Sequence, residues 1–201
     1  MLLDSPDSND MECDHVMRPA TVSAVFFLLL CLTGRTWALG GDFTLQDHDG
    51  EAYSLHDDRG KVVLIAFGYT YCPDVCPTAL ATVAAALNRL GDRATRVRPL
   101  FISLDPQRDT PEHLKAYVRY FHPSLLGLTG DPAALKAVAK RYGVRYSFVR
   151  HGDADAYTLD HSANLYIVDP AGKLFRILPH GLPVDALTDS LTLALSLPTG
   201  G

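Results

Sequence analysis

The segment Lys61–Thr70 constrains the fold of this chain more than any other segment. It is a nearly uninterrupted run of β-branched, aliphatic and aromatic residues. A strand that faces water on one side alternates apolar with polar residues, whereas a continuous apolar run is typical of a strand covered on both faces. The segment therefore predicts the central strand of a sheet covered by helices, which places the chain in the α/β class.

The rest of the domain alternates between strand and helix patterns. Turns at Asp49-Gly50 and at Pro170–Gly172 predict an N-terminal β-hairpin and a second hairpin near the carboxyl end. We predict strands at 43–47, 52–55, 61–70, 97–104, 125–129, 144–150, 164–169 and 173–178, and helices at 79–90, 109–121, 131–141 and 182–197. Crossovers in the first half and a hairpin in the second give a mixed central sheet flanked by helices.

Residues 1–38 have the features of an export signal. Arg18 precedes the uncharged, largely apolar run Ala20–Leu32, and small residues at Thr36 and Ala38 suit a signal peptidase. We expect cleavage after Ala38, which leaves residues 39–201 as one domain outside the cytoplasm.

Two further expectations concern this segment. The acidic residues before Met17 do not suit a signal, so we hypothesise that translation begins at Met17. Arg35 interrupts the apolar run before it reaches the roughly 20 residues that a spanning helix needs, which favours cleavage. The alternative is an uncleaved short anchor that holds the same domain at the inner membrane.

Charge and cysteine content limit the classes of function. The chain has a formal net charge of −5 and no basic stripe interleaved with aromatic residues, so a nucleic-acid interface has no support.

Cleavage after Ala38 removes Cys13 and Cys31 and leaves Cys72 and Cys76, four positions apart. In an oxidising compartment such a pair is a structural disulfide, a redox pair or part of a metal site. A bridge across so short a loop stabilises little, which weakens the first alternative.

The position of the two cysteines favours reactive thiols. Cys72 follows the predicted central strand and Cys76 begins the next helix, whose dipole favours thiolate. Two thiolates select Cu(I), zinc or an iron–sulfur cluster, but closed zinc sites and clusters need about four ligands. One added imidazole completes a three-coordinate set that suits copper.

Seven histidines follow Ala38, and His161 is the one that fits this role. The others are interpreted as surface or turn residues: His48, His56, His113, His122, His151 and His180. His161 lies in a polar segment before the predicted strand that begins at 164, where α/β sheets place site residues. Asp160 is positioned to orient its imidazole. From the residues alone, a capped loop remains the alternative for His161.

Three linked segments resemble the SCO/SenC family of copper chaperones. Gly60–Thr78 resembles the family's cysteine signature, and Ser103–Glu112 resembles its post-strand motif. Tyr157–Ser162, followed by Tyr166–Gly172, is similar to its histidine-bearing loop and hairpin. The resemblance covers about Phe43–Leu197 in the order of the family.

The resemblance implies a thioredoxin-like fold that binds one copper ion, Cu(I) or Cu(II), through Cys72, Cys76 and His161. It also implies assembly of the dinuclear copper centre of cytochrome c oxidase, with the copper-receiving subunit as partner. Other copper chaperones or a thioredoxin-like reductant are further implied partners. The location expected is periplasmic or otherwise extracytoplasmic. Tyr71 departs from the histidine often found before the first cysteine, so no ligand is expected there.

An enzymatic alternative stays open. In a thiol–disulfide oxidoreductase, Cys72 attacks as the nucleophile and Cys76 resolves the mixed disulfide. This alternative leaves His161 without a role, and the three-residue spacer is one longer than in the usual CxxC motif. The two functions are compatible, since reducing the cysteines of a target is a step toward loading them. A peroxidase has less support, because no arginine is marked beside a cysteine.

Overall fold

The computed structural model describes residues 39–150, 152 and 157–199. The predicted export segment, residues 1–38, lies outside them, together with the expected cleavage and start sites. Among the described residues, no helix has the length and apolar character needed to cross a bilayer.

Nine strands and four α-helices make up the described domain. The strands are β1 Thr44–Asp47, β2 Ala52–Ser54, β3 Val62–Gly68, β4 Val97–Ser103, β5 Leu126–Thr129, β6 Tyr146–Arg150, β7 Tyr157–His161, β8 Leu165–Val168 and β9 Leu174–Leu178. The helices are α1 Val75–Leu90, α2 Pro111–Phe121, α3 Pro132–Arg141 and α4 Val184–Leu195. Short 3-10 turns span Leu55–Asp58 and Gly91–Arg96.

The main sheet has seven strands in the order β2-β1-β5-β4-β3-β8-β9. All seven residues of β3 are buried, as its apolar sequence predicts. β3 runs parallel to β4 and antiparallel to β8, while β1 pairs antiparallel with both β2 and β5. Helix α1 packs against α4 and also contacts α2. The predicted mixed sheet flanked by helices is therefore confirmed.

Capping residues fix the starts of α2 and α3. The Thr110 side chain accepts a hydrogen bond from the backbone N–H of His113, and Asp131 accepts from the first turn of α3. Proline occupies the first helical position of each, where no N–H is needed. Helix α1 begins at Val75 rather than at the predicted Ala79, because Pro77 is tolerated in a first turn.

Strand β7 was not predicted, and the interpretation of His161 as a loop residue is wrong. His161 is the last residue of β7, which pairs with β6 in a separate two-stranded antiparallel sheet. Only Leu159 of this strand is buried, so the strand lacks the apolar content that marks β3 and β8.

The surface interpretation of His48 is also wrong. The residue is 6% exposed, and its Nδ1 accepts a hydrogen bond from the backbone N–H of Gly127.

A buried carboxylate joins the start of β3 to β2 and β4. Asp58 is 5% exposed and accepts hydrogen bonds from Tyr53 Oη at 2.9 Å and Lys61 Nζ at 2.7 Å. Arg98 Nε on β4 donates to it at 3.1 Å. Burial alone would raise the pKa of Asp58, but these partners outweigh it and hold the pKa below its usual value.

Candidate metal centre

The two cysteines lie where β3 passes into α1. Cys72 is in the connecting loop and Cys76 is in the first turn of the helix, so both face the helix amino end. Both are free thiols, and they are 8% and 3% exposed. The backbone N–H of Cys76 points at Cys72 Sγ over 3.4 Å. Such N–H groups at a helix start stabilise a thiolate.

His161 reaches this pair from the end of β7. Its Nε2 lies 3.4 Å from Cys76 Sγ, and its Nδ1 lies 3.1 Å from the carbonyl oxygen of Ser162. A carbonyl accepts but cannot donate, so Nδ1 is the donor of this pair, and in the neutral ring this leaves the Nε2 lone pair available to a metal ion. The Ser162 carbonyl, rather than the Asp160 carboxylate, lies at Nδ1; Asp160 is exposed.

The three side chains form a group of the right size for one metal ion. The ligand atoms of Cys72, Cys76 and His161 all lie within 4.8 Å of one another. Bonds of about 2.0–2.3 Å, the values for zinc, place the ligands of a three-coordinate ion roughly 4 Å apart. Two soft sulfurs and one imidazole nitrogen are a donor set that suits copper.

The two thiols differ sharply in acidity. The hydrogen bond from the Cys76 thiol, with backbone N–H groups of the first turn, lowers the pKa of Cys72 to about 5. Donating that hydrogen bond, together with burial, raises the pKa of Cys76 above its usual value. At neutral pH Cys72 is a thiolate and Cys76 keeps its proton. The pair titrates as a unit in which the two sulfurs share one proton.

Gly68, the last residue of β3, leaves room for the Cys76 sulfur. A Cβ at this position would lie 2.6 Å from Cys76 Sγ and 2.9 Å from the Phe101 ring. These distances are shorter than van der Waals contact, so a side chain here would displace the sulfur or the ring. The close approach of backbone and thiol therefore depends on glycine.

Asp109 holds the loop that carries Cys72. It is fully buried, and its carboxylate accepts from the Thr70 N–H at 3.0 Å and from Thr70 Oγ1 at 2.6 Å. Ser103 Oγ at the end of β4 donates to the same carboxylate at 2.6 Å. The sequence pattern predicted Asp109 at the start of a helix and did not indicate this contact with the cysteine loop. No local sequence signal marks a carboxylate buried between two strand ends, apart from the resemblance of Ser103–Glu112 to the family's post-strand motif.

The other described histidines do not join the centre. His113 stacks on Tyr71, with ring centroids 5.5 Å apart and an interplanar angle of 25°. His122 accepts from the backbone N–H of Ser124, and His56 lies beside Asp57 on the surface. Tyr69 contacts His161 edge to face with a centroid distance of 6.1 Å. Among the described histidines, His161 is thus the one whose ring nitrogen lies with the Cys72 and Cys76 sulfurs.

Comparison with known proteins gives consistent matches. The sequence model of a family described as SCO1/SenC matches residues 33–196. Protein SCO1 homolog 1, mitochondrial, of Arabidopsis thaliana is 39% identical over 155 residues, which are 77% of this chain and 46% of that protein. The SCO2-like protein of Rickettsia felis is 41% identical over 139 residues, 69% of this chain and 68% of that protein. The chain thus spans about half the length of the Arabidopsis relative.

Solved structures agree with these matches. The Arabidopsis thaliana ScoI structure with copper bound is 38% identical, with a TM-score of 0.73 over 79% of this chain and 98% of that one. The Bradyrhizobium japonicum ScoI structure with copper bound is 40% identical, with a TM-score of 0.73 over 79% of this chain and all of that one. The predicted thioredoxin-like fold is confirmed by these neighbours.

Proposed function

Since this chain belongs to the SCO1/SenC family, we propose that it is a copper metallochaperone that helps to assemble the copper centre of cytochrome c oxidase. The observation that carries the proposal is the convergence of Cys72, Cys76 and His161, whose ligand atoms lie within 4.8 Å of one another. The copper-bound structures of related ScoI proteins support it.

Copper is the cargo of this site, and each of the three residues has a distinct role. Cys72, already a thiolate at neutral pH, provides the first ligand, and Cys76 provides the second once it loses its proton. Nε2 of His161 is the third. His161 is only half-buried, so a ligand of the partner can approach the ion from this side. Transfer then proceeds by ligand exchange, in which an incoming ligand binds before one of the three leaves.

A second function is favoured by the difference between the two thiols. A thiolate with a pKa of about 5 beside a protonated thiol is the arrangement of a nucleophile and a resolving cysteine. Cys72 would attack a disulfide of the target, and Cys76 would then attack Cys72. The target gains two thiols while this chain gains one disulfide. Reduction of the target's cysteines would prepare them to receive copper.

The partner and the compartment follow from this function. We propose the copper-receiving subunit of cytochrome c oxidase as the main partner, with another copper chaperone as copper donor and a thioredoxin-like protein as reductant. The relatives include mitochondrial and bacterial proteins. An extracytoplasmic location, either as a released domain or held by residues 1–38, is consistent with both and with the cysteine chemistry.

Anaerobic titration of the reduced protein with Cu(I) tests the proposal. We expect the wild type to bind one ion and His161→Ala to lower the affinity by about tenfold or more. Mutating a residue that only hydrogen-bonds to a metal ligand already lowers the affinity by about that factor. Cys76→Ser should abolish tight binding. His113→Ala, which removes a nearby histidine outside the centre, is the matched control. Full affinity in His161→Ala, with unchanged disulfide exchange, would overturn the chaperone function in favour of the oxidoreductase.

A further inference from the structure

The loop between β4 and α2 contacts the beginning of β7, the strand that ends in His161. Asp105 in this loop is fully buried, and its carboxylate accepts a hydrogen bond from Tyr157 Oη at 2.8 Å. Arg108 Nε donates to the other oxygen of the same carboxylate. One buried acid therefore ties an arginine of the loop to the first residue of β7.

Arg108 also contacts β7 directly and reaches the cysteine loop. Its Nη1 donates to the Tyr157 carbonyl oxygen at 3.0 Å, and its guanidinium lies 3.7 Å from the centroid of the Tyr157 ring. The same guanidinium lies 4.9 Å from the ring of Tyr71, the residue next to Cys72. A planar cation contacting two aromatic rings gains attraction from both. Arg108 thus bridges the segment that carries Cys72 and the strand that carries His161.

Strand β7 needs such an attachment, because no backbone ladder among the described strands joins it to the main sheet. It pairs with β6, and these two form a separate sheet. A two-stranded sheet alone is marginally stable in water. Other contacts must therefore contribute to its position over the domain, and among them are those of the buried Leu159 and of the group formed by Asp105, Arg108 and Tyr157.

We propose that Arg108 is a positioning residue: together with Asp105 and Tyr157 it forms a clamp that sets the position of His161 relative to Cys72 and Cys76. The inference rests on the proposed function and adds a residue to it that touches neither the metal ligands nor the ion. The clamp connects the segment that carries Cys72 to the strand that carries His161 through the loop after β4. Asp109 of the same loop separately holds Thr70.

Arginine is the residue type that this role requires. Nε bonds the acid, Nη1 bonds the carbonyl oxygen and the flat face contacts the rings, all from one rigid group. Lysine retains the positive charge beside Asp105 but has neither the fork of donors nor the planar face. Arg108→Lys therefore tests positioning while it leaves the buried carboxylate with a cation.

A double-mutant cycle with His161 tests the clamp. We expect Arg108→Lys to weaken Cu(I) binding by about tenfold in the wild-type background, the lower end of the effect of residues that orient ligands. In the His161→Ala background the same change should have no further effect, because the ligand it positions is gone. Tyr157→Leu, which removes the ring and keeps the Arg108–Asp105 pair, should behave in the same way. Arg93→Lys, at an exposed arginine in the turn Gly91–Arg96, is the control.

Hydrogen exchange of the copper-free protein gives an independent measurement. The backbone amides of β7 should exchange faster in Arg108→Lys than in the wild type and in Arg93→Lys. Equal losses of copper affinity in both backgrounds, or no loss at all, would overturn the clamp. Should the wild type bind no copper, the proposed metallochaperone function fails, and the exchange rates of β7 decide the clamp alone: unchanged rates reject it.

Discussion

Gly68 shows how one missing side chain determines the geometry of the centre. The backbone of β3 approaches the Cys76 sulfur so closely that a Cβ would lie 2.6 Å from it. We expect Gly68→Ala to cost about 1–3 kcal/mol of unfolding free energy, as overpacking does. Copper affinity should fall as well, because the displaced sulfur is a proposed ligand. Chemical denaturation and Cu(I) titration measure the two effects.

Gly127→Ala is the matched control for this prediction. Its Cβ would lie 2.5 Å from Leu114 Cγ, a similar overlap at a site where the neighbour is a leucine of α2 and no cysteine is involved. The control should lose stability and keep its copper affinity under conditions where it is folded. If Gly68→Ala retains wild-type stability and affinity, the close approach of β3 to the thiol is not a constraint.

The connection between β4 and α2 holds the cysteine loop through Asp109. We expect Asp109→Asn to destabilise the protein by about 2 kcal/mol, because the amide offers one acceptor oxygen where the carboxylate offers two, and its NH2 faces donors. The amides of Thr70 and Cys72 should also lose protection in hydrogen exchange. Ser103→Ala removes one of the three bonds to the Asp109 carboxylate, together with the acceptor of the Asp105 N–H. Because both Thr70 bonds remain, it should have a smaller effect on the protection of these amides. Equal effects of the two changes would contradict this assignment.

An element is predictable from sequence when it carries a local signal such as an apolar run, a turn or a helix cap. Strand β3 was found because all of its residues are apolar, and α2 and α3 because their caps and first-turn prolines are local signals. Strand β7 was missed because Leu159 is its single buried residue, so the strand has no apolar run. Its alternation of Tyr157, Leu159 and His161 with polar residues is the signal that could have found it.

The same reasoning applies to the candidate site. Cys72 and Cys76 are marked by their own chemistry. His161 was singled out among the histidines by its position before a predicted strand, with a capped loop as the alternative, and the family resemblance then favoured it as a ligand. Asp105, Arg108 and Asp109 act across distances of 39 to 52 positions in the chain. No local pattern specifies such contacts. They depend on how the loop after β4, the cysteine loop after β3 and strand β7 meet in the folded domain.

For the whole molecule, the network around Asp58 predicts how stability depends on pH. The pKa of Asp58 is lower in the folded protein than in the unfolded chain, so its ionisation favours folding above the unfolded pKa. That contribution is lost as the pH falls through the folded pKa. We expect Asp58→Asn to lower the stability at pH 7 by about 2 kcal/mol and to flatten the decline in acid. Denaturant midpoints measured from pH 7 to pH 3 check both.

Asp57→Asn is the control for this prediction. Its side chain is 77% exposed, and it lies beside Asp58 in the chain. The change should alter stability by no more than about 0.5 kcal/mol at any pH in that range. A variant of Asp58 that follows the wild-type pH profile would show that its buried hydrogen bonds do not couple folding to protonation.

The proton shared by Cys72 and Cys76 is the one that copper would replace at the proposed metal centre. At neutral pH the two sulfurs carry one proton and one negative charge. Cu(I) held by two thiolates leaves the same single negative charge, so the metal replaces the proton one for one. From pH 7 upward, where Cys72 is a thiolate and Cys76 keeps its proton, the Cu(I) affinity should rise about tenfold per pH unit, with one proton released per ion in a weakly buffered titration. In the proposed function an acceptor would therefore meet the same charge on the copper-loaded and the copper-free protein, and the protein would take up a proton when it releases copper.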